Sequence, residues 1–539
     1  MKISDILRVK DNKFTIITFL LLFIIAFTLR LSIKEFSLAS IIFSITNVLI
    51  LYLFTDTIAR TFLRIPLIVF LSSLITVDTT LMLVYNNPLN YGVIASIFET
   101  NISETLSMGK FIFPIGITVL ILISYLIIKT TAEFKRRKQL KLYLTIPTFL
   151  ILLFIVPPIL DYQGSINSSN LKSYTKTFWK DPLLLYSNII YVKYPLVIND
   201  IFVTISYFDE MKKYKNEILS DKVLPEGISL DKNNTNKPDK IIFVIGESSY
   251  SAHYSLYGYS IKTTPSLDSL YNNTNLLSFY KNIISSASYT RDALRIALSF
   301  ATPHEEQPFI NQKNILNLAK DAGYETSWIS NHGKYGLHNT FLGMVASHAD
   351  YKYYEDTNND LDLIPLLQQQ LKDSNKQQFI TVHLRGSHKS YSDKFDKQDT
   401  QMLGSEGKTI DYDKSIHHTD RVLKKIVELT NDSCFKSVIY YFSDHGEVIN
   451  TGHAILNKWK CQYQVPLVLI QNKPFLDTDN IIRKYYDSRN RINTNATPYI
   501  LGEIMGYSIT DSLVEKTKRD GLYIYQADGS VILFDNIVD

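Results

Sequence analysis

Cysteine is scarce in this chain of 539 residues, since only Cys434 and Cys461 are present. Two cysteines exclude a disulfide framework and a zinc site built from four cysteines, and the sequence leaves undecided whether the two pair with each other. Charged residues form only 20% of the chain and hydrophobic residues 46%, which excludes an intrinsically disordered protein. The formal net charge is only +4. It gives no indication of nucleic acid, and we expect no such partner.

The first 160 residues form a basic, apolar part, with 15 lysines and arginines against 8 aspartates and glutamates. Five apolar runs within it are long enough to span a bilayer, which takes roughly 20 residues each. They lie at about 14–33, 37–59, 65–86, 111–131 and 142–160. We therefore predict a transmembrane domain with five helices over residues 1–160.

Three basic clusters predict the orientation of these helices. One precedes the first run, one separates the second run from the third, and one separates the fourth from the fifth. All three lie on one side if every run crosses the bilayer, and by the positive-inside rule that side is the cytoplasm. Because five is odd, everything after Leu160 then lies outside. We predict a multi-pass membrane protein, most simply a bacterial one, with its C-terminal domain in the periplasm or outside the cell.

Acidic residues stand out in and after the third run. Asp78 lies within the run, where a carboxylate is energetically expensive. It indicates either a functional site or an aspartate that is paired within the helix bundle. The loop that follows, 87–110, faces outward and carries Glu99 and Glu104. These two residues predict an acidic patch at the outer surface of the membrane.

Two further parts follow the last apolar run. Residues 161–239 mix apolar, aromatic and charged residues, which we interpret as an amphipathic linker on the membrane surface, with a plain packed helix as the alternative. Residues 240–539 alternate short apolar runs with amphipathic stretches. The predicted strands are Ile241–Ile245, Glu325–Ile329, Gln378–His383, Ser437–Phe442 and Val465–Ile470. The predicted helices are Arg291–Phe300, Ile315–Ala322, Leu361–Lys372 and Tyr412–Leu429.

This alternation predicts a largely parallel sheet with helices on both faces. Ligands of such sheets bind beyond the carboxyl ends of the strands. One predicted strand is followed by Glu247 and another by Asp444 and His445, and carboxylate and imidazole groups suit Zn²⁺. Thr290 directly precedes a predicted helix. Its hydroxyl is either a group placed where a phosphate binds or simply a helix N-cap.

Four segments occur together in an order that resembles the bacterial phosphoethanolamine transferases. They are GESSYSAHYSLYGYSIKTTPSL (246–267), SSASYTRDALRIALSF (285–300), HLRGSH (383–388) and SDHGE (443–447). Those enzymes are membrane members of the alkaline phosphatase/sulfatase superfamily, and they include the lipid A-modifying enzymes behind polymyxin resistance. The resemblance implies a five-helix transmembrane bundle and an extracytoplasmic, sulfatase-like α/β catalytic domain with a largely parallel central sheet. The residues after Thr290 look more like the branch that modifies core sugars.

The resemblance also implies roles for particular residues. The implied metal ligands are Glu247, Thr290, Asp444 and His445, with Thr290 also the nucleophile. The implied catalytic histidines beside the phosphoryl group are His383 and His388. The implied substrate-binding residues are Glu99, Thr100, Asn101, Glu104, Lys334 and His453. The other histidines, among them His332, His417 and His418, have no spacing that predicts a role in the site.

The implied reaction moves phosphoethanolamine from phosphatidylethanolamine to a lipopolysaccharide acceptor, which is lipid A or a core sugar. A zinc-activated Thr290 would carry the group covalently, because the metal lowers the pKa of a bound hydroxyl and the intermediate divides the reaction into two half-steps. Ser288 is the rival hydroxyl nearby. The alternatives are a phosphoglycerol transferase, a phosphodiesterase or a sulfatase of the same superfamily, and a metal-bound sensor without activity. We expect a monomer with one zinc ion, surrounded by membrane lipids.

Overall fold

A computed structural model describes most of the chain. The described residues are 12–33, 38–59, 62–85, 89–99, 102–135, 196–217, 222–231, 234, 236–332, 341–372, 376–431 and 434–539. The chain divides into two compact units. The N-terminal unit comprises Met1–Phe98 and Thr105–Glu210, and the C-terminal unit comprises Glu99–Glu104 and Met211–Asp539.

Up to residue 217, the described part of the chain is helical. The helices are Lys13–Ile33, Leu38–Ile58, Arg64–Tyr85, Tyr91–Glu99, Ile102–Lys135 and Leu196–Glu217. By length and composition, Arg64–Val84 and Ile112–Lys135 are able to cross a bilayer, while the apolar parts of the first two helices are shorter, at Lys13–Leu29 and Ser44–Leu53. The fifth predicted run, 142–160, lies outside the described residues. Five crossings therefore remain a prediction.

Two carboxylates, one half-buried and one buried, hold backbone N–H groups at or near helix ends in the N-terminal unit. Glu133 accepts the backbone N–H groups of Phe14 at 3.0 Å and Thr15 at 2.8 Å, and so binds two donors that a helix N-terminus leaves free. Asp78 is fully buried and accepts the N–H of Leu89 at 2.9 Å. Asp78 therefore has a hydrogen-bonding partner within its own unit, and it holds the connection that follows its helix.

The C-terminal unit is built on a seven-stranded sheet. In chain order its strands are β1 (Lys240–Gly246), β2 (Leu277–Tyr280), β3 (Glu325–Ser330), β4 (Tyr351–Tyr354), β5 (Gln378–His383), β6 (Ser437–Ser443) and β7 (Leu467–Gln471). Their spatial order is β2–β7–β6–β1–β5–β3–β4. The strands from β6 to β4 pair in parallel, and β7 and β2 pair antiparallel at one edge. The predicted largely parallel sheet is confirmed.

The central strands are buried on both faces. Every residue of β1 is buried. Ile241, Phe243 and Ile245 belong to the hydrophobic core on one face, and Ile242 and Val244 belong to the core on the other. Successive side chains of a strand point to opposite faces, so a strand covered on both sides is apolar throughout. This is why the sequence of β1 shows a continuous apolar run instead of an alternation.

Helices and short strand pairs complete the C-terminal unit. The helices are Pro265–Asn273, Thr290–Ala297, Gln307–Asn311, Ile315–Asp321, Phe341–Ser347, Ile364–Gln370, Lys397–Leu403, Ile410–Thr430, Thr478–Arg483, Thr497–Ile504 and Asp511–Asp520. Short 3₁₀ helices are Ser251–His253, Ser255–Tyr257, Asp360–Leu363, Tyr391–Asp393, Lys460–Gln462, Thr494–Ala496 and Phe534–Asn536. Three pairs of short strands join Ile228–Leu230 with Tyr507–Ile509, Ile283–Ile284 with Ile492–Asn493, and Tyr523–Tyr525 with Val531–Leu533.

All five predicted strands are present, with ends that differ by at most two residues. The strands β2 and β4 were not predicted, because they are short and only partly buried and therefore lack a continuous apolar run. The predicted helix Leu361–Lys372 is divided into the 3₁₀ turn Asp360–Leu363 and the helix Ile364–Gln370, which has a proline in its first turn. A helix from Leu361 would need the N–H of Pro365 to bond to the Leu361 carbonyl, and proline has no N–H. The α-helix therefore begins at Ile364, with the proline in its first turn.

Other predictions concern the linker and the cysteines. Leu196–Glu217 is a helix within the predicted linker 161–239, and residues 161–195 lie outside the described residues. The boundaries at 160 and 239 remain predictions. Cys434 is exposed and Cys461 is half-buried, and both are free thiols.

We predict that the chain crosses the membrane five times, as the basic clusters and apolar runs indicate. A reporter that is active only in the cytoplasm should be silent when it is fused after Asp539. The same reporter fused after Arg137, in a predicted cytoplasmic segment, is the control and should be active. Activity of the Asp539 fusion would show that the predicted topology is wrong.

Candidate active site

Four neighbouring strands bring the candidate site residues to one edge of the sheet. In spatial order these strands are β6, β1, β5 and β3, and their pairing is parallel. Asp444 and His445 follow β6, Glu247 follows β1, His383 ends β5, and His332 follows β3 by two residues. Because parallel strands end at the same edge, residues far apart in sequence become neighbours there.

A cluster of oxygen and nitrogen atoms forms at this edge. Ligand atoms of Glu247, Asp444 and His445 all lie within 4.8 Å of one another. The Thr290 hydroxyl is 3.3 Å from Glu247 Oε1 and 3.3 Å from His445 Nε2. Among the residues that the structure describes, Asp444 Oδ2 is buried and has no hydrogen-bond partner. The structure therefore brings the four predicted metal ligands together, and these residues fit a metal ion.

The electrostatics of the cluster favour a bound cation. Burial raises the pKa of Asp444 to about 8, and the nearby Glu247 charge adds to this effect. Burial by itself also raises the pKa of Glu247, but the neighbouring His388 and His332 hold that pKa well below its usual range. Burial lowers the pKa of His445, which keeps the imidazole neutral and able to bind a metal. Two buried carboxylates this close are stabilised by a positive ion.

Thr290 begins its helix and does not cap it. The helix is Thr290–Ala297, and the residue before it, Tyr289, is in the extended conformation. The Thr290 hydroxyl contacts Glu247 and His445, so the N-cap alternative does not describe it. In the described part of the chain, no hydrogen bond joins Ser288 to these two residues.

A second group of metal-type side chains adjoins the first. His445, Glu447 and His453 also have ligand atoms within 4.8 Å of one another, and His453 Nδ1 is 2.9 Å from Glu447 Oε2. Tyr391 donates its hydroxyl to Glu447 at 2.8 Å. Burial by itself lowers the pKa of His453, but the Glu447 carboxylate raises it overall. The SDHGE motif contains Glu447, but the sequence did not indicate its role as the partner of His453.

The histidines of the HLRGSH segment lie beside Glu247, as does one histidine for which we expected no role. His388 Nε2 is 3.6 Å from Glu247 Oε1, and the ring of His383 stacks on that of His332 at 4.1 Å. His332 Nε2 is 3.1 Å from Glu247 Oε2. Our expectation for His332 was therefore wrong. Its position after the predicted strand Glu325–Ile329 was a usable signal, because other site residues also follow strands.

Two glycines are required where the loops of the site cross other backbone. A Cβ on Gly386 would lie 2.7 Å from the backbone N and O of Glu247. The φ angle of Gly386 is +52°, which also favours glycine. A Cβ on Gly446 would overlap the carbonyl oxygen of Cys461. Any larger residue would displace the loops that carry the site residues.

A buried aspartate outside the motifs anchors the HLRGSH loop. Asp360 accepts the N–H groups of Arg385 and Gly386, both at 2.9 Å, and the side-chain amide of Asn331 at 2.8 Å. The guanidinium of Arg385 donates to the Asn331 carbonyl at 2.8 Å. One carboxylate therefore joins the loops after β5 and β3. Nothing in the local sequence around Asp360 indicates this role.

Several predicted binding residues are not placed in the site. Lys334, Thr100 and Asn101 lie outside the described residues. Glu99 ends the helix Tyr91–Glu99, and Glu104 is in the first turn of Ile102–Lys135. Roles for these residues in substrate binding remain predictions.

His417 and His418 have packing roles in the structure. They are buried in the helix Ile410–Thr430, and their Nδ1 atoms lie 2.6 and 2.9 Å from the two oxygens of Asp399. Arg421 contacts the same carboxylate at 2.8 Å. Both oxygens of the Asp399 carboxylate are therefore hydrogen-bonded to these three side chains.

Comparison with known proteins gives both sequence and fold relatives. Residues 239–498 match the family described as Sulfatase. The chain is 27% identical over 289 residues to the phosphoethanolamine transferase EptC of Escherichia coli O18:K1:H7. The aligned region is 49% of this chain and 50% of that protein. The chain thus spans about half the length of this curated relative.

Two solved structures share the fold. The integral membrane lipooligosaccharide phosphoethanolamine transferase A (EptA) of Neisseria meningitidis aligns with a TM-score of 0.66 at 18% identity, over 93% of this chain and 96% of that one. The C-terminal periplasmic domain of EptC from Escherichia coli, in complex with Zn, aligns with a TM-score of 0.51 at 23% identity. That alignment covers 59% of this chain and 97% of the EptC domain. At these identities the two alignments show a shared fold.

We predict that Asp360→Ala destabilises the C-terminal unit. Three buried donors lose their acceptor, and each costs about 1–3 kcal/mol. The free energy of unfolding should therefore fall by at least about 3 kcal/mol. Urea denaturation of the full chain in detergent, followed by tryptophan fluorescence, measures the change. Asp362→Ala is the control, because Asp362 is exposed in the same turn and its loss should have little effect. Equal stability of the two variants would contradict the anchoring role of Asp360.

Proposed function

We propose that this chain, whose residues 239–498 match the family described as Sulfatase, transfers phosphoethanolamine from phosphatidylethanolamine to a lipopolysaccharide acceptor, lipid A or a core sugar. The observation that carries the proposal is the Thr290 hydroxyl, which lies 3.3 Å from both Glu247 and His445 at the N-terminus of its helix. A relative found by sequence is itself named a phosphoethanolamine transferase. A fold of this family serves several reactions, so both observations are needed.

The proposed setting follows from the fold shared with EptA and from the basic clusters. The chain is a multi-pass protein of the bacterial inner membrane, with residues 1–160 as the transmembrane domain and 161–239 as a linker on the membrane surface. The catalytic domain, 240–539, lies in the periplasm and acts as a monomer. The donor lipid is in the same membrane, and nucleic acid has no part in the reaction.

The metal of the proposed reaction is Zn²⁺, held by Glu247, Thr290, Asp444 and His445. Two carboxylates, a neutral imidazole and a hydroxyl are suitable ligands for this ion, and their close approach around the unpartnered Asp444 Oδ2 supports the assignment. When bound, zinc would lower the pKa of the Thr290 hydroxyl and balance negative charge on the phosphoryl oxygens.

The chain's own residues perform the two half-reactions. Thr290 Oγ1 attacks the donor phosphorus, and the bond from phosphorus to the diacylglycerol oxygen breaks. His388, or His383 beside it, gives a proton to that leaving oxygen. In the second half-reaction the acceptor hydroxyl gives its proton to the same histidine as its oxygen attacks phosphorus. The bond from phosphorus to Thr290 Oγ1 breaks, and Oγ1 regains from solvent the proton that it released before the first attack. His453 and Lys334, together with the loop residues Glu99, Thr100, Asn101 and Glu104, are proposed to bind the substrates.

We predict that Thr290 carries phosphoethanolamine during turnover. Thr290→Ala should abolish transfer and preserve the fold, because the hydroxyl does not cap the helix. Thr290→Ser should retain part of the activity. After incubation with phosphatidylethanolamine and no acceptor, tandem mass spectrometry should find phosphoethanolamine on the peptide that contains Thr290.

Ser288→Ala is the matched control, and it should turn over at about the rate of the unaltered chain. Label on Ser288, or normal turnover by Thr290→Ala, would contradict the assignment. Steady release of free phosphoethanolamine, with no transfer to lipopolysaccharide, would instead support the phosphodiesterase alternative.

We predict one tightly bound zinc ion per chain. Asp444→Ala removes a ligand and a negative charge, so the zinc content measured by elemental analysis should fall. Asp413→Ala removes a buried aspartate whose carboxylate contacts His253, and this variant should keep its zinc. Full zinc occupancy in Asp444→Ala would exclude Asp444 from the ligand set.

A further inference from the structure

His332 makes a specific set of contacts beside the candidate metal cluster. Its Nε2 lies 2.8 Å from the carbonyl oxygen of Leu384 and 3.1 Å from Glu247 Oε2. A carbonyl oxygen only accepts hydrogen bonds, so Nε2 must carry a proton. The positive end of this N–H group is therefore close to Glu247 Oε2.

The ring of His332 is held in place by its neighbours. It stacks on His383 with a centroid distance of 4.1 Å and an interplanar angle of 16°. The backbone N–H of His332 donates to Ser330 Oγ at 3.2 Å, and the same hydroxyl is 3.2 Å from His383 Nδ1. Only 19% of the side chain is exposed. These contacts make His332 a fixed donor.

The two oxygens of Glu247 have different surroundings. Oε1 faces the Thr290 hydroxyl at 3.3 Å and His388 Nε2 at 3.6 Å, whereas Oε2 faces His332. A carboxylate can rotate about its last bond and exchange its oxygens. A fixed N–H group at Oε2 opposes that rotation and leaves Oε1 directed at the nucleophile.

We propose that His332 is a positioning residue that orients the Glu247 carboxylate for metal binding. This inference depends on the metal site in the proposed function. Residues that hold a metal ligand in its orientation typically change metal affinity by about 10–100-fold when they are replaced. His332 Nε2 donates its N–H to the Leu384 carbonyl and lies 3.1 Å from Glu247 Oε2, so it acts on the carboxylate through the positive charge of that N–H group.

Two substitutions separate the N–H donor of His332 from its ring. His332→Phe keeps a ring to stack on His383 and removes the donor. His332→Gln removes the ring and keeps an amide N–H at about the position of Nε2. Zinc affinity of the full chain in detergent is measured by competition with a fluorescent chelator. We expect about 10–100-fold weaker binding for His332→Phe and near-normal binding for His332→Gln.

His348→Ala is the matched control, because His348 is partly buried and bonds to the Met344 carbonyl in another region. It should bind zinc normally. Unchanged affinity in His332→Phe would overturn the proposal, and so would an equal loss in the Phe and Gln variants, which would indicate a packing role. Failure of the unaltered chain to bind zinc would overturn the metal site of the proposed function, and this assignment with it.

Discussion

Two carboxylates buried side by side are the constraint on which the rest of the site depends. Strands β1 and β6 are parallel and pair Gly246 with Ser443, so Glu247 and Asp444 leave the sheet together. Burial and the charge of Glu247 raise the pKa of Asp444 to about 8. Such a pair is unfavourable unless positive charge and donors surround it. The histidines and the proposed metal ion supply both.

The loops around this pair are positioned mainly by backbone contacts. Gly386 and Gly446 lie where other chain segments leave no room for a Cβ, and Asp360 binds two consecutive N–H groups of the HLRGSH loop. Backbone contacts of this kind restrict loop movement more than contacts between long side chains do. The loops can therefore hold His383 and His388 close to Glu247 before any substrate binds, as preorganised catalysis requires.

The proposed reaction combines two kinds of support. The chain shares a fold with EptA of Neisseria meningitidis, and part of it matches a relative named a phosphoethanolamine transferase. Fold by itself does not decide the reaction, because related folds serve different reactions. The proposed covalent step depends on Thr290, whose hydroxyl faces Glu247 and His445. The acceptor is a separate question, because either a sugar hydroxyl or water can take the group from a covalent intermediate.

The sequence by itself determined the central strands and the residues that directly follow them. Buried parallel strands are continuous apolar runs, and Glu247, Asp444 and His445 stand at their ends. Only the tertiary structure decided which other residues lie close to them, among them His332, Glu447 and Asp360. Their contacts depend on which strands are neighbours and on where a loop crosses another. Local sequence patterns report burial and periodicity, and they carry no information about such long-range pairings.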